Sequence, residues 1–452
     1  DGLDPYTVFW SEQEVENSKI NQRGHFSGVG ASIKAQKDKV KILEIWKDQP
    51  ADKAGLKPGD EIIKIDNVDL KDYKENAGDL LKGSPGSVVS VEYLRNGKLQ
   101  KATITRASID DKAVPFYELI DGDIAYIVLS KFNQKASRET IDALETLKSQ
   151  GATKVILDLR GNPGGLLSEA VNVSNIFLPK DKLITYTESH IKKFNNTYLT
   201  QKQPVDEQIP LVVLVNGRSA SASEIVSGAI QDYDRGVVIG ARSFGKGLVQ
   251  RPKSVSYGTQ VKITISRYYT PVGRCIQAIN YADRDEEGNP IMIEPENYNA
   301  YKTKNGRTVY DGGGILPDIE LASAKYSPIT TSLLKDDLIF DYATQYFYSH
   351  SVDDLSRFEF NDKAFNDFLN WLNKNDFDYD SEADNKLNEF IAVAEKENLL
   401  NKNNAAVKSL ETVLNQQKEQ QLKDKKAEIV QLLSDEIIKR YFYRDGIYRY
   451  HI

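Results

Sequence analysis

The spacing of apolar positions changes twice along the chain and marks three stretches. Between residues 26 and 107, VKILEI (40–45), EIIKI (61–65), SVVSVEYL (87–94) and LQKATIT (99–105) are short, largely alternating runs. A period of two belongs to strands with one buried face. Turn signals separate them at PADKAGLKPGD (50–60), Asp66-Asn67 and Asn96-Gly97. KDYKENAGDLLKG (71–83) reads as a short helix between the strands. The stretch is a small, mostly β module of roughly a hundred residues, a common domain size. Further on, IAYIVL (124–129), KVILDL (154–159) and PLVVLV (210–215) are apolar throughout, as strands buried on both faces are. Helical patterns follow two of them, at SRETIDALETLKSQ (137–150) and SEIVSGAIQDY (223–233). GVVIG (236–240), GLVQ (247–250) and TQVKITISRYY (259–269) add strands. This alternation predicts an α/β domain with a mixed sheet. From residue 326 the apolar positions fall at helical spacing in a stretch rich in charge, and the run at 418–428 reads as a solvated helix face.

Composition narrows the function classes. The 452 residues suffice for two or three domains. A net charge of −7 offers no global field to attract nucleic acid. No apolar run is long enough to cross a bilayer. The single cysteine, Cys275, excludes a disulfide framework and a multi-cysteine metal site. Four histidines, at 25, 190, 350 and 451, stand in settings that suggest no catalytic partner.

Candidate chemistry concentrates in NGRSASASEIVSG (216–228), directly after the strand LVVLV. Ser221-Ala222-Ser223-Glu224 is the S-x-x-E capping box of a helix start. The same turn presents a hydroxyl to a cleft beside unpaired backbone amides, so Ser219, Ser221 and Ser223 are all candidate nucleophiles. A base is offered by GARSFGKGLVQ (240–250), where Lys246 lies between two glycines. An extended chain there puts Lys246, Leu248 and Gln250 on one face, with the Gln250 amide oxygen able to hold the amine. Burial lowers a lysine pKa, and a neutral amine can accept a proton from serine. In DLRGNPGG (158–165) the turn lets backbone approach a ligand closely, and Gly164 or Gly165 can join the Ala222 amide as an oxyanion donor.

These segments, with RYYTPVGRCIQ (267–277) and GGILPDIEL (313–321), resemble the successive signatures of the carboxyl-terminal processing proteases, the tail-specific Ser-Lys peptidases. The resemblance covers roughly residues 4–321. Ser221 stands 25 residues before Lys246 and Gln250 four after it, the separations that family keeps, which selects the middle serine. It implies Ser221 as nucleophile, Lys246 as base, Gln250 beside it, and an oxyanion hole from Ala222 and a glycine of the NPGG turn. The implied fold is α/β (α+β), with a ClpP/crotonase-like peptidase core, an inserted PDZ domain and a C-terminal helical extension.

FSGVGASI (26–33) and DQPADKAGLKPGDEIIKIDNVDL (48–70) resemble the PDZ domain inserted in these proteases. There Gly28-Val29-Gly30 can turn amides toward a terminal carboxylate while ASIKA accepts the peptide as an added strand. Val29, Ile33, Leu80 and Leu81 are the expected lining of a pocket for the last apolar side chain. The expected organisation is a remnant of the family's N-terminal helical segment packing on the core (1–25), the PDZ domain (26–107), the Ser-Lys core (108–325) and a helical domain (326–452). The tail carries no readable motif, resembles extensions of Bacteroidetes-type members, and is a candidate homodimer surface or a cover for the cleft.

The expected function is a serine endopeptidase that binds protein or peptide C-termini and cleaves through an acyl-enzyme. No metal, nucleotide or other cofactor is called for, and no nucleic acid partner. The resemblance implies the periplasm or cell envelope of a bacterium, with any membrane tether outside this sequence. One rival is a catalytically inactive PDZ-bearing scaffold; such a core is expected to lose Ser221, Lys246 or Gln250, and all three stand. A Ser-Lys amidase or esterase for small molecules is the other, against which the PDZ-like reader argues.

Overall fold

The computed structural model describes all residues except 1–2, 37, 72, 74–75, 286–287, 323–324, 376 and 380. The chain divides into two compact units, each sewn from two separate stretches: residues 1–26 with 110–323, and 27–109 with 324–452.

In the first unit a mixed sheet runs in the order Phe116–Ile120, Ile124–Val128, Lys154–Asp158, Leu211–Val215, Val237–Gly240, Ile319–Glu320. Its first pair is antiparallel and the others parallel, with Leu157 beside Val213 and Val213 beside Val238. Ile127, Leu157 and Val213 are fully buried, because helices Ala136–Ser149, Leu167–Phe177 and Ala222–Asp232 contribute to the same core. A second sheet is built on the long strand Gln260–Tyr269, which pairs with Leu248–Ser254, Leu183–Glu188 and Val8–Trp10. Residues 8–10 thus join a strand about 250 positions further along the chain, with Phe9 opposite Val261.

In the second unit an antiparallel sheet runs Ala31–Ala35, Val40–Ile45, Glu61–Ile65, Val88–Arg95, Lys98–Thr105. Val40, Ile42, Ile62, Val89 and Val91 form its core, as their alternation requires. The helix expected over 71–83 is reduced to a 3₁₀ turn, Ala77–Leu81, with Asn76 accepting from the Gly78 N–H; residues 72, 74 and 75 lie outside the described residues. Helices of the tail, among them Pro328–Lys335, Leu338–Ser349, Asp362–Lys374 and Lys426–His451, close around Leu333, Tyr342, Phe368 and Leu433.

The tail does not stand apart from the β module. Lys41 Nζ reaches Asp341 at 2.6 Å, and Arg444 Nε donates to Glu44 at 3.0 Å. The last helix breaks at Tyr443 (φ 58°, ψ −166°), and the Tyr443 hydroxyl meets both oxygens of Asp52 at 3.0 and 2.9 Å. Its ring packs against the β-module core. Such a backbone state costs on the order of 1–3 kcal/mol; burying the ring and bonding the hydroxyl offset it here.

Candidate active site

The three serines of SASAS meet different fates. Ser219 Oγ is fully buried, donates to the Leu159 carbonyl at 2.8 Å and accepts from the Asn216 N–H at 2.9 Å. Ser223 Oγ is also fully buried and donates to the Asn162 carbonyl at 2.9 Å. Both hydroxyls are consumed in tying the helix start to the loop that carries NPGG. Ser221 is only half-buried, with φ 56° and ψ −111° at the head of helix Ala222–Asp232. A non-glycine residue held there on a sharp strand-to-helix turn is strained, and that turn presents its side chain outward.

Glu224 joins the two segments named in the sequence. Its buried carboxylate accepts from the Ser221 N–H (2.7 Å) and the Lys246 N–H (3.0 Å) through one oxygen. The other oxygen accepts from the Gly245 N–H and the Ser243 hydroxyl, both at 2.6 Å. Ser243 Oγ itself accepts from the Ile315 N–H at 2.6 Å, so its hydrogen is directed at Glu224. Burial pushes the Glu224 carboxyl up, while these four donors pull the other way. In the sequence, S-x-x-E marks Glu224 only as a cap, and nothing in it signals that the carboxylate also gathers residues 243–246.

The glycines around Lys246 have steric reasons. At Gly245 (φ +84°) a Cβ would lie 2.4 Å from Ala278 Cβ, and at Gly247 one would lie 2.9 Å from the Gln277 nitrogen. The Gly247 N–H donates to Gln277 Oε1 at 2.7 Å. Lys246 is half-buried, and its amine is held below the ordinary lysine range by burial first and then by the Lys262 charge; Glu224 and Asp4 oppose this. Its Nζ lies 4.3 Å from the centre of the Tyr6 ring. Ser221 and Lys246 are not hydrogen-bonded to each other among the described residues.

The strand ladder shifts register between Val249 and Gln250, bringing Gln250 opposite Thr264. There the Gln250 amide nitrogen donates to Thr264 Oγ1 at 3.2 Å. The expected face shared by Lys246 and Gln250 is therefore interrupted by a bulge, and the amide contact that forms is with threonine.

The glycine turn lies against the serine. A Cβ on Gly164 (φ +96°) would fall 2.8 Å from Ser221 Cβ and 2.9 Å from the Ala222 nitrogen. The Gly164 N–H is already used, donating to Asn162 Oδ1 at 2.9 Å. Phe132 bridges the turn through its N–H to the Gly164 carbonyl and its carbonyl to the Leu166 N–H. Among the described residues, the N–H groups of Gly165 and Ala222 have no partner. Asp158, which opens the motif, accepts from Tyr126 Oη (2.6 Å) and pairs with Arg160.

In the second unit, Gly30 has φ +74° with Gln49 packed where a Cβ would be. Val29 and Leu81 are buried in the module core, whereas Ile33 and Leu80 are half-buried, and Ile33 reaches the 3₁₀ turn at Gly78.

Family models for peptidase family S41, a PDZ domain and the C-terminal helical domain of PDZ-proteases match residues 123–284, 27–105 and 329–452. The carboxy-terminal-processing protease of Bartonella bacilliformis is 32% identical over 320 residues, 69% of this chain and 72% of that protein. The carboxyl-terminal-processing protease of Synechocystis is 35% identical over 64% of this chain and 69% of its own length. Carboxy-terminal processing protease CtpA of Bacillus subtilis is 34% identical over 60% of this chain, which spans 58% of that relative. The solved photosystem II D1 C-terminal processing protease shares 27% identity over 70% of this chain and 78% of its own, with a TM-score of 0.40.

The chain belongs to peptidase family S41, with a PDZ domain and a C-terminal helical domain. Its relatives within that family are carboxy-terminal processing proteases. The tail, which carries no motif legible in the sequence, matches a C-terminal helical domain model of this architecture.

Proposed function

We propose that this protein is a serine endopeptidase that captures protein C-termini with its PDZ domain and cleaves them by a Ser-Lys acyl-enzyme route. The observation that carries this reading is the Glu224 carboxylate, one oxygen of which holds the backbone of both Ser221 and Lys246. Neutral Lys246 takes the Ser221 proton as Oγ attacks the scissile carbonyl, then returns it to the leaving amine. Water, deprotonated by the same amine, releases the acyl group. The tetrahedral oxyanion is received by the free N–H groups of Ala222 and Gly165, since Gly164 spends its own on Asn162. Gln250 acts by positioning, its amide nitrogen fixed on Thr264 and its oxygen left for the lysine. Hydrogen-bond contact between Ser221 and Lys246 belongs to the substrate-loaded state, because such contacts tighten on binding.

In the PDZ domain, the amides of Gly28-Val29-Gly30 receive the terminal carboxylate and strand Ala31–Ala35 pairs with the peptide. Ile33 and Leu80 are the better pocket residues, since Val29 and Leu81 serve the core. We place the enzyme in the bacterial cell envelope; none of the described helices is long and apolar enough to cross a membrane. The test is cleavage of a denatured protein by wild type and by folded Lys246→Ala, with acyl-Ser221 sought by mass spectrometry and a peptide acid or its C-terminal amide as competitor. Turnover lost with Lys246, acylation at Ser221 and competition by the acid alone are expected. Full activity in Lys246→Ala, or equal competition by the amide, overturns the corresponding half.

A further inference from the structure

The segment Asp4-Pro5-Tyr6-Thr7 lies against the base and has no role in the scheme above. It is a built turn: Asp4 Oδ1 accepts from the N–H groups of Tyr6 (2.9 Å) and Thr7 (3.1 Å), and Thr7 Oγ1 donates to Asp4 Oδ2 (3.0 Å). Strand Val8–Trp10 fastens it onto Gln260–Lys262. Two contacts reach from it to the site. The Tyr6 ring covers Lys246 Nζ at 4.3 Å. Thr264 Oγ1, which accepts from Gln250, donates to Asp4 Oδ1 at 3.0 Å, and the Thr264 N–H donates to Thr7 Oγ1 at 3.2 Å.

We propose that this N-terminal strap is part of the active site, with Tyr6 a positioning residue that shields the Lys246 amine from water and Asp4 one that fixes Gln250 through Thr264. The inference rests on the reading of Lys246 as the base.

Two effects of the ring oppose each other. A cation over a tyrosine face is attracted to the ring, which favours the ammonium. Excluding water favours the neutral amine, by up to about 3–5 pKa units when burial is complete. The Lys246 amine sits below its ordinary range with burial as the leading cause, and the Tyr6 ring 4.3 Å away is one of the groups that bury it. The charged groups facing it are Lys262 from the paired strand, which adds to the depression, and Glu224 and Asp4, which oppose it. Tyr6 is not a rival base. Its phenol is driven well above the usual tyrosine range by burial and by Tyr281, whose ring meets it edge-on at 6.0 Å, with smaller effects from Glu224 and Asp4.

The experiment compares the full chain with Tyr6→Phe and Tyr6→Ala. Lys246 is trace-labelled with acetic anhydride across pH and quantified by mass spectrometry, alongside the pH profile of kcat/KM. In Tyr6→Ala the labelling midpoint of Lys246 rises by one pH unit or more, about a tenfold shift in the proton equilibrium. The acid limb of kcat/KM moves up with it, and Tyr6→Phe keeps the wild-type midpoint. An unchanged midpoint in Tyr6→Ala, or Tyr6→Phe moving as far as Tyr6→Ala, overturns the proposal. A labelling midpoint that moves while the acid limb stays keeps the shield and rejects Lys246 as the base. An independent loss in folded Lys246→Ala reports on that base alone.

Discussion

Two helices of the first unit open on the same four-residue pattern, Ser11-Glu12-Gln13-Glu14 and Ser221-Ala222-Ser223-Glu224. In both, the serine N–H donates to the glutamate carboxylate at 2.7 Å. At the first, Ser11 has ordinary extended backbone (φ −63°, ψ 166°), and its hydroxyl accepts from the Glu14 N–H at 3.3 Å in solvent. At the second, Ser221 is driven to φ 56°, and Glu224 is buried with donors arriving from residues 243, 245 and 246. An exposed capping box spends its hydrogen bonds on its own helix. A buried one has acceptor capacity that only another segment can satisfy, and here that segment carries Lys246.

The sharpest break in the comparison is to remove each hydroxyl. Ser221→Ala, like Lys246→Ala, is expected to lower kcat/KM by at least about 10⁴-fold in a protein that stays folded. Ser11→Ala costs about 1 kcal/mol of stability and leaves kcat/KM unchanged. Steady-state kinetics beside thermal unfolding check both. Comparable losses at the two serines would erase the distinction.

Next come the glutamates. Glu224→Ala strands four donors, those of Ser243 and Gly245 buried, and is expected to cost about 3 kcal/mol. The milder Glu224→Gln keeps the fold and lowers kcat about 100-fold by letting the 243–246 stretch drift. Glu14→Gln leaves activity at the wild-type level. A fully active Glu224→Gln enzyme would reduce Glu224 to an ordinary cap.

The smallest effect is a difference in pH dependence. Hydrogen bonds from Ser11 hold the Glu14 carboxyl below its usual range, so its contribution is present at neutral pH and is lost as pH falls through its folded pKa. Burial holds Glu224 above its usual range, so its contribution is greatest in acid and is lost as pH rises through its folded pKa. Unfolding free energies of the Gln variants relative to wild type, measured across pH, should therefore change in opposite directions. Parallel changes would mean that Glu224 is solvated.

These helices also show where reading the sequence stops. The apolar runs at 124–129, 154–159 and 210–215 give the central strands within a residue, because a run buried on both faces carries its own label. The local pattern at 221–224 is indistinguishable from that at 11–14, and only the distance to Lys246 and the family resemblance single out the middle serine. The structure supplies a separate reason, since Ser219 and Ser223 are committed to backbone carbonyls. Long-range pairings stayed hidden: Thr264 with Asp4, Asp52 with Tyr443, and the union of the PDZ domain with the tail. No periodicity encodes a contact across hundreds of residues. The helix expected over 71–83 gives way to a 3₁₀ turn at Ala77–Leu81, where Asn76 caps the start and Gly78 is a poor helix former.

The pairing of Phe9 with Val261 sets an order of assembly. A ribosome adding roughly 5–20 residues per second takes on the order of 10–50 s to bridge that interval of about 250 residues. During that time the first strand is an open edge with no mate. Both Ser221 and Lys246 are synthesised before the strand that anchors Tyr6, so under the proposed mechanism the nascent chain carries its nucleophile and base before the Tyr6 ring can reach the amine.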